Sequence, residues 1–148
     1  MIRVTRRYDF SASHRLNTPD LSEEENQRLY GKCNNPFGHG HNYVLDVSVR
    51  GPLDPRSGRA VDLTVLDRLV RERVIQAVDR KNLNEEIEHF SRVVPTTENL
   101  GLFIHERLKR YWRTVFPGAW PQLEKVRIAE TERNIFEVSD SQKTIETR

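Results

Sequence analysis

The sequence predicts an α+β domain: a four-stranded antiparallel sheet with two helices packed on one face, in the order strand, strand, helix, helix, strand, strand. Three observations carry this. Apolar and polar residues alternate in two stretches near the start and two near the end, the period of half-buried strands. Between them the period becomes that of amphipathic helices, bounded by proline, glycine and capping residues. The 148 residues suit one domain, 1–148, large enough for a proper core.

Composition narrows the function classes. Hydrophobic residues make up 36% and charged residues 31%, with no apolar run as long as a membrane span. Met1-Ile2-Arg3-Val4 leads straight into alternation without the apolar core of a secretory signal, so the expectation is a cytoplasmic protein with no membrane partner. A net charge of +2 is too small to imply nucleic acid. The single cysteine, Cys33, excludes an intramolecular disulfide and leaves a free thiol in a polar, glycine-flanked loop. No repeat, low-complexity segment or linker is found, and 139–148 reads as a flexible polar tail.

The first strand is expected over Ile2–Leu16, its even positions Ile2, Val4, Tyr8, Phe10, Ala12, His14 and Leu16 facing the core. A short helix follows, opened by the capping spacing of Ser22 and Glu25 and closed at Gly31. The second strand, about Gly40 to Gly51, carries Tyr43, Leu45, Val47 and Val49 in phase with His39 and His41. After the turn at Gly51-Pro52 and Asp54 to Gly58, Leu63, Leu66, Leu69, Val70, Val74, Ala77 and Val78 fall at helical spacing behind an N-cap at Asp62 or Thr64. A second long helix begins near Thr96-Thr97-Glu98 and buries Leu100, Phe103, Ile104, Leu108, Tyr111 and Val115 before Pro117-Gly118, with His105 on its solvated side. Two strands close the chain, Leu123–Thr131 and about Asn134–Ser139.

Residues 31–43, Gly-Lys-Cys-Asn-Asn-Pro-Phe-Gly-His-Gly-His-Asn-Tyr, have the composition of a site. A strand period of two puts His39 and His41 on one face, within reach of one metal. His14 is the natural third ligand, giving the three-histidine set of a catalytic zinc site with an open fourth position. Glu130 lies in phase with Val126 and Ile128, and a carboxylate on an apolar face needs a partner. Several strands thus end their apolar faces in metal-type or charged side chains, the pattern of one polar pocket beside a hydrophobic layer.

Phe10-Ser-Ala-Ser-His14, the 31–43 segment, Val61-Asp-Leu63, Lys81-Asn-Leu-Asn84, Pro95-Thr-Thr-Glu-Asn99 and Glu130-Thr131 together resemble the 6-pyruvoyl tetrahydropterin synthases, members of the tunnelling-fold group, over nearly the whole chain. The resemblance implies conversion of 7,8-dihydroneopterin triphosphate to 6-pyruvoyltetrahydropterin with loss of triphosphate. It implies zinc on His14, His39 and His41, Cys33 as the base that takes the side-chain proton, and Glu130 as the pterin anchor, with Thr97 and Glu98 as secondary contacts. Magnesium is expected with the triphosphate, and the assembly is expected to be a homohexamer, two trimers stacked into a barrel with the site between subunits. One departure stands out. Where the family reads Asp-His as a proton relay, this chain has Asp79-Arg80, and arginine cannot act as a base. Arg80 can still hold a phosphate or stand as a fixed cation near Cys33, and His89 is a candidate substitute. Cys33-Asn-Asn-Pro and Glu130-Thr-Glu-Arg-Asn-Ile favour the tetrahydrobiopterin-pathway members. The alternatives are the 6-carboxytetrahydropterin synthases of the queuosine route, and a zinc- and pterin-binding homologue whose catalysis is weakened or lost through Arg80.

Overall fold

The computed structural model describes residues 1–140. Strands β1 (Ile2–His14), β2 (His39–Gly51), β3 (Lys81–Asn82), β4 (Gln122–Ala129) and β5 (Ile135–Ser139) form one sheet in the order β3-β1-β2-β4-β5. The α+β expectation holds, but the sheet is five-stranded and mixed rather than four-stranded and antiparallel. The correction is local. Asp79 Oδ1 accepts from the Ser11 N–H at 2.9 Å and the Arg80 N–H donates to the Ser11 carbonyl at 2.6 Å. The chain is thereby docked on the free edge of β1, and Lys81–Asn82 pairs there in parallel for two residues.

Helix α1 (Glu23–Tyr30) starts where Ser22 accepts from the Glu25 N–H, and the positive φ of Gly31 turns the chain into a single 3-10 turn, Gly31–Asn34. Asp62 caps α2 (Leu63–Val70) by accepting from the Thr64 and Val65 N–H groups. That helix runs without a break through a π-helical segment, Arg71–Ile75, into α3 (Gln76–Val78), so the predicted helix 63–78 is one rod. A short α4 (Leu83–Glu86) precedes α5 (Thr97–Val115), which is capped by Thr96.

The core lies between the sheet and the α2–α3 and α5 helices. Tyr8, Phe10, Tyr43, Leu45, Val47, Val49, Val126 and Ile128 from the strands meet Leu66, Leu69, Val70, Val74, Val78, Leu100, Ile104, Leu108 and Trp112 from the helices. Gly101 lets α5 approach β5, since a Cβ there would lie 2.9 Å from Val138 Cγ2. One turn further on, His105 is buried rather than solvated, a correction to the sequence reading; it shares the Gly101 face and its Nε2 lies 3.9 Å from Asp140 Oδ1. The opposite face of the sheet is polar, with Arg7, Asp46 and Arg127 joined across three strands. Ser139 closes β5 and Asp140 pairs with Lys109 at 2.7 Å, so the predicted tail begins no earlier than 141, and 141–148 lies outside the described residues. Among the described residues no helix is long and apolar enough to cross a membrane.

Candidate metal centre

Strand pairing builds the centre. The antiparallel register of β1 with β2 sets His14 opposite His39 at the end of the ladder, with Ala12 opposite His41. Their side chains share the core-facing side, as the alternation predicts. Gly38, at φ +71°, makes the close approach possible: a Cβ there would lie 2.9 Å from the His14 carbonyl oxygen. β1 stops at His14, short of the predicted Leu16, because the Arg15 N–H turns to Asn84 Oδ1 (2.8 Å) and the Leu16 N–H to the Cys33 carbonyl (2.7 Å).

Three imidazole Nε2 atoms converge, with His14 to His39 at 3.3 Å and His39 to His41 at 2.7 Å. His14 Nδ1–H donates to the Pro95 carbonyl at 2.9 Å, which fixes the tautomer and aims the Nε2 lone pair into the cluster. Burial is the main force holding the His14 and His39 pKa values below the ordinary range, so both rings are neutral donors at neutral pH. Cys33 Sγ lies 3.4 Å from His39 Nε2, and the four donor atoms of His14, Cys33, His39 and His41 fall within 4.8 Å of one another. Burial, with Glu130 adding to it, pushes the Cys33 thiol above its usual pKa.

The donor set fits a metal. A tetrahedral zinc with Zn–N bonds of about 2.0–2.1 Å separates its nitrogens by about 3.3–3.4 Å, the spacing found between His14 and His39. Three lone-pair nitrogens beside a sulfur, in a half-buried pocket, are held together more readily by a cation than by one another.

Glu130 completes the group. It sits one residue beyond β4, its N–H donating to the Asn134 carbonyl at 3.0 Å, which ends the strand before the predicted Thr131. Its Oε1 lies 3.2 Å from His41 Nε2 and 3.7 Å from His14 Nε2. A cavity of about 590 Å³, lined among others by Lys32, Cys33, His39, His41, Glu130 and Thr131, opens beside it. That is room for a small molecule.

The remaining predicted residues fall elsewhere. Thr97, at the start of α5, is buried with its hydroxyl unpartnered among the described residues, two residues past the carbonyl that orients His14. Glu98 is exposed. Asp79 and the exposed Arg80 sit on the outer edge of β1, where Arg80, at φ 60°, helps line a second cleft with Ser11, Asn42 and Glu86, and His41 borders both this cleft and the Cys33 cavity. Neither Asp79 nor Arg80 borders the Cys33 cavity. His89 is stacked on Phe103 at 5.4 Å beside a cleft of about 770 Å³ against α5, outside the metal-type cluster. A cleft of about 680 Å³ near Asp62 and Phe116 is likewise outside it. Two contributions escaped the sequence reading. One is the Pro95 carbonyl, for which Pro95-Thr-Thr-Glu-Asn99 was the available signal. The other is Tyr43, packed edge-on against His41 at 5.7 Å with its buried hydroxyl unpartnered among the described residues.

Comparison with known proteins gives a consistent answer. The sequence profile described as 6-pyruvoyl tetrahydropterin synthase matches residues 3–141. The 6-pyruvoyl tetrahydrobiopterin synthase of Homo sapiens is 45% identical over 133 residues, covering 90% of this chain and 88% of that protein. Its counterpart from Dictyostelium discoideum is 43% identical over 131 residues, covering 88% and 90%. The solved structure of Caenorhabditis elegans 6-pyruvoyl tetrahydropterin synthase superposes with a TM-score of 0.83 at 41% identity, covering 95% of this chain and 96% of that one.

Proposed function

The chain belongs to the 6-pyruvoyl tetrahydropterin synthase family, and we propose that it converts 7,8-dihydroneopterin triphosphate to 6-pyruvoyltetrahydropterin by a triphosphate-eliminating lyase reaction. The observation that carries this reading is the meeting of three histidine nitrogens, one thiol and one carboxylate, all but the buried His14 lining one cavity.

His14, His39 and His41 would hold zinc. Bound there, zinc supplies Lewis acidity toward the oxygens of the substrate side chain and so acidifies the adjacent C–H. The chain's own residues do the rest. Glu130 accepts hydrogen bonds from the pterin 2-amino group and ring N–H, which gives that carboxylate the partner its burial calls for. Cys33 Sγ takes the proton from the side-chain carbon and returns it during the shift between side chain and ring. Thr97, whose buried hydroxyl is unpartnered among the described residues, and the exposed Glu98 beside it at the start of α5 are the secondary pterin contacts. Lys32, on the cavity rim, would offer a cation to the triphosphate, whose charge magnesium would help to neutralise.

Asp79 and Arg80 take part from another copy of the chain. Both are fixed to the β1 edge by the Ser11 backbone and away from their own Cys33 cavity, so they serve a neighbouring subunit's site in a homohexamer built as a dimer of trimers. The exposed Phe37, 96% accessible between Cys33 and His39, and the outer edge of β5, unpaired among the described residues, support such an assembly. Arg80 would there be a fixed cation toward phosphate or thiolate and never the base.

The test is to incubate zinc-loaded protein with 7,8-dihydroneopterin triphosphate and identify the products. Triphosphate with a pyruvoyl pterin is expected. A carboxy pterin with acetaldehyde, or bound but unchanged substrate, would overturn the assignment.

A further inference from the structure

Three histidines leave the fourth metal position open, yet a side chain is already in place to fill it. Cys33 Sγ lies 3.4 Å from His39 Nε2, and it shares with the three histidine nitrogens a set in which every donor pair falls within 4.8 Å. A tetrahedral zinc with a Zn–S bond of about 2.3 Å and Zn–N bonds of about 2.0–2.1 Å places sulfur about 3.5–3.6 Å from each nitrogen. Toward His39 the thiol therefore stands near the edge length of a closed site of one cysteine and three histidines, with the other two nitrogens no more than 4.8 Å away.

The backbone shows that this position is built. The single 3-10 turn that carries Cys33 is tied to the end of β1 by the Leu16 N–H to the Cys33 carbonyl at 2.7 Å. The buried Asn34 side chain donates to the Leu16 carbonyl at 2.7 Å and to Asn17 Oδ1 at 3.0 Å. These bonds hold the sulfur beside His14 and His39 from the same strand end that supplies the first ligand. Glu130 is the other candidate for the position. Its Oε1 is 3.2 Å from His41 Nε2, but the carboxylate lies outside the mutually close set of four.

We propose that Cys33 is the fourth zinc ligand of the substrate-free protein, closing the centre, and that the substrate side chain opens it by displacing the sulfur. The inference rests on the three-histidine zinc reading and deepens it. One residue then has two successive tasks, ligand at rest and base during turnover. The exchange trades a metal–sulfur bond for a bond to substrate oxygen, with no electron transferred. The sulfur leaves as thiolate with its pair intact, beside the C–H it is to deprotonate, and the resting centre is shut to adventitious ligands.

Cobalt(II) in place of zinc reads this without turnover. The wild-type protein should show the intense near-ultraviolet thiolate-to-cobalt charge-transfer band together with the visible bands of a four-coordinate centre. Cys33→Ala and Cys33→Ser should lose the charge-transfer band, keep visible bands from the three histidines, and release metal to a competing chelator about tenfold more readily or worse. Neopterin triphosphate, the oxidised and unreactive pterin, should abolish the band in the wild type. Visible bands without the charge-transfer band in the wild type would overturn the proposal and leave the three-histidine centre standing. A band that survives saturating neopterin triphosphate would refute displacement. Absence of cobalt from wild type and variants alike would remove the metal reading itself.

Discussion

At the scale of single residues, the centre depends on a position that carries no functional group. Gly38 holds φ +71° with no room for a Cβ against the His14 carbonyl, so Gly38→Ala must move the start of β2 away from β1. We expect a loss of about 1–3 kcal/mol in stability, and at least tenfold weaker zinc binding by chelator competition, since the His14 to His39 spacing is set there. His105 yields a pH prediction. Burial depresses its pKa, opposed by Asp140 and Glu106 and reinforced by Lys109. The folded state therefore binds this proton less readily than the unfolded chain, whose histidine titrates near about 6.5. Its contribution is full above that pH and is lost as the pH falls below it toward the depressed folded value. Melting temperatures between neutral and mildly acidic pH should fall less steeply for His105→Leu than for wild type. The meeting of His14, His39 and His41 was legible because alternation fixed their faces. His105 was not, because its stripe reads Gly101, His105, Leu108, Trp112, and its first two members carry no hydropathy signal.

At the scale of elements, the contact between α5 and β5 is the one most sensitive to added volume. Gly101→Ala would place a methyl 2.9 Å from Val138 Cγ2 and 3.7 Å from Ile128 Cδ1, so a destabilisation of about 1–3 kcal/mol is expected in chemical denaturation. Val138→Ala should relieve it, the double variant losing less than the sum of the singles by about 0.5 kcal/mol or more. Additivity would show that α5 simply shifts outward. The long helices and four of the strands were readable from period and capping; of the two candidate caps Asp62 and Thr64 the structure uses Asp62, and the second long helix starts where expected, behind Thr96. β3 was not, for two residues carry no period and its pairing is decided by Asp79 and Arg80 reaching the Ser11 backbone.

At the scale of the whole molecule, the separation of Asp79 from Cys33 becomes a statement about stoichiometry. Cys33→Ala and Asp79→Asn should each be inactive alone; the asparagine keeps an acceptor for the Ser11 N–H while removing the carboxylate. If each site draws Cys33 and Asp79 from different copies, co-expressed mixtures should recover about a quarter of wild-type activity, because random pairing makes that share of sites intact. No recovery, or full activity of Asp79→Asn alone, would exclude the shared-site arrangement. The motifs marked these residues in the chain, but whether they serve their own cavity or another copy's depends on packing between copies and has no local signature.

The end-on pairing of His14 with His39 also makes the centre a clasp on the chain. Residues 15–38 leave the sheet at His14 and return at His39, with Cys33 near the return. A bound ion would therefore close this excursion at its base, while its own tie is a handful of hydrogen bonds around Leu16, Cys33 and Asn34. Chelation should then expose the excursion to trypsin at the already accessible Arg28 and Lys32 well before the sheet itself yields, and restoring zinc should protect both. Metal content would thus be readable from a digestion pattern, with no substrate present.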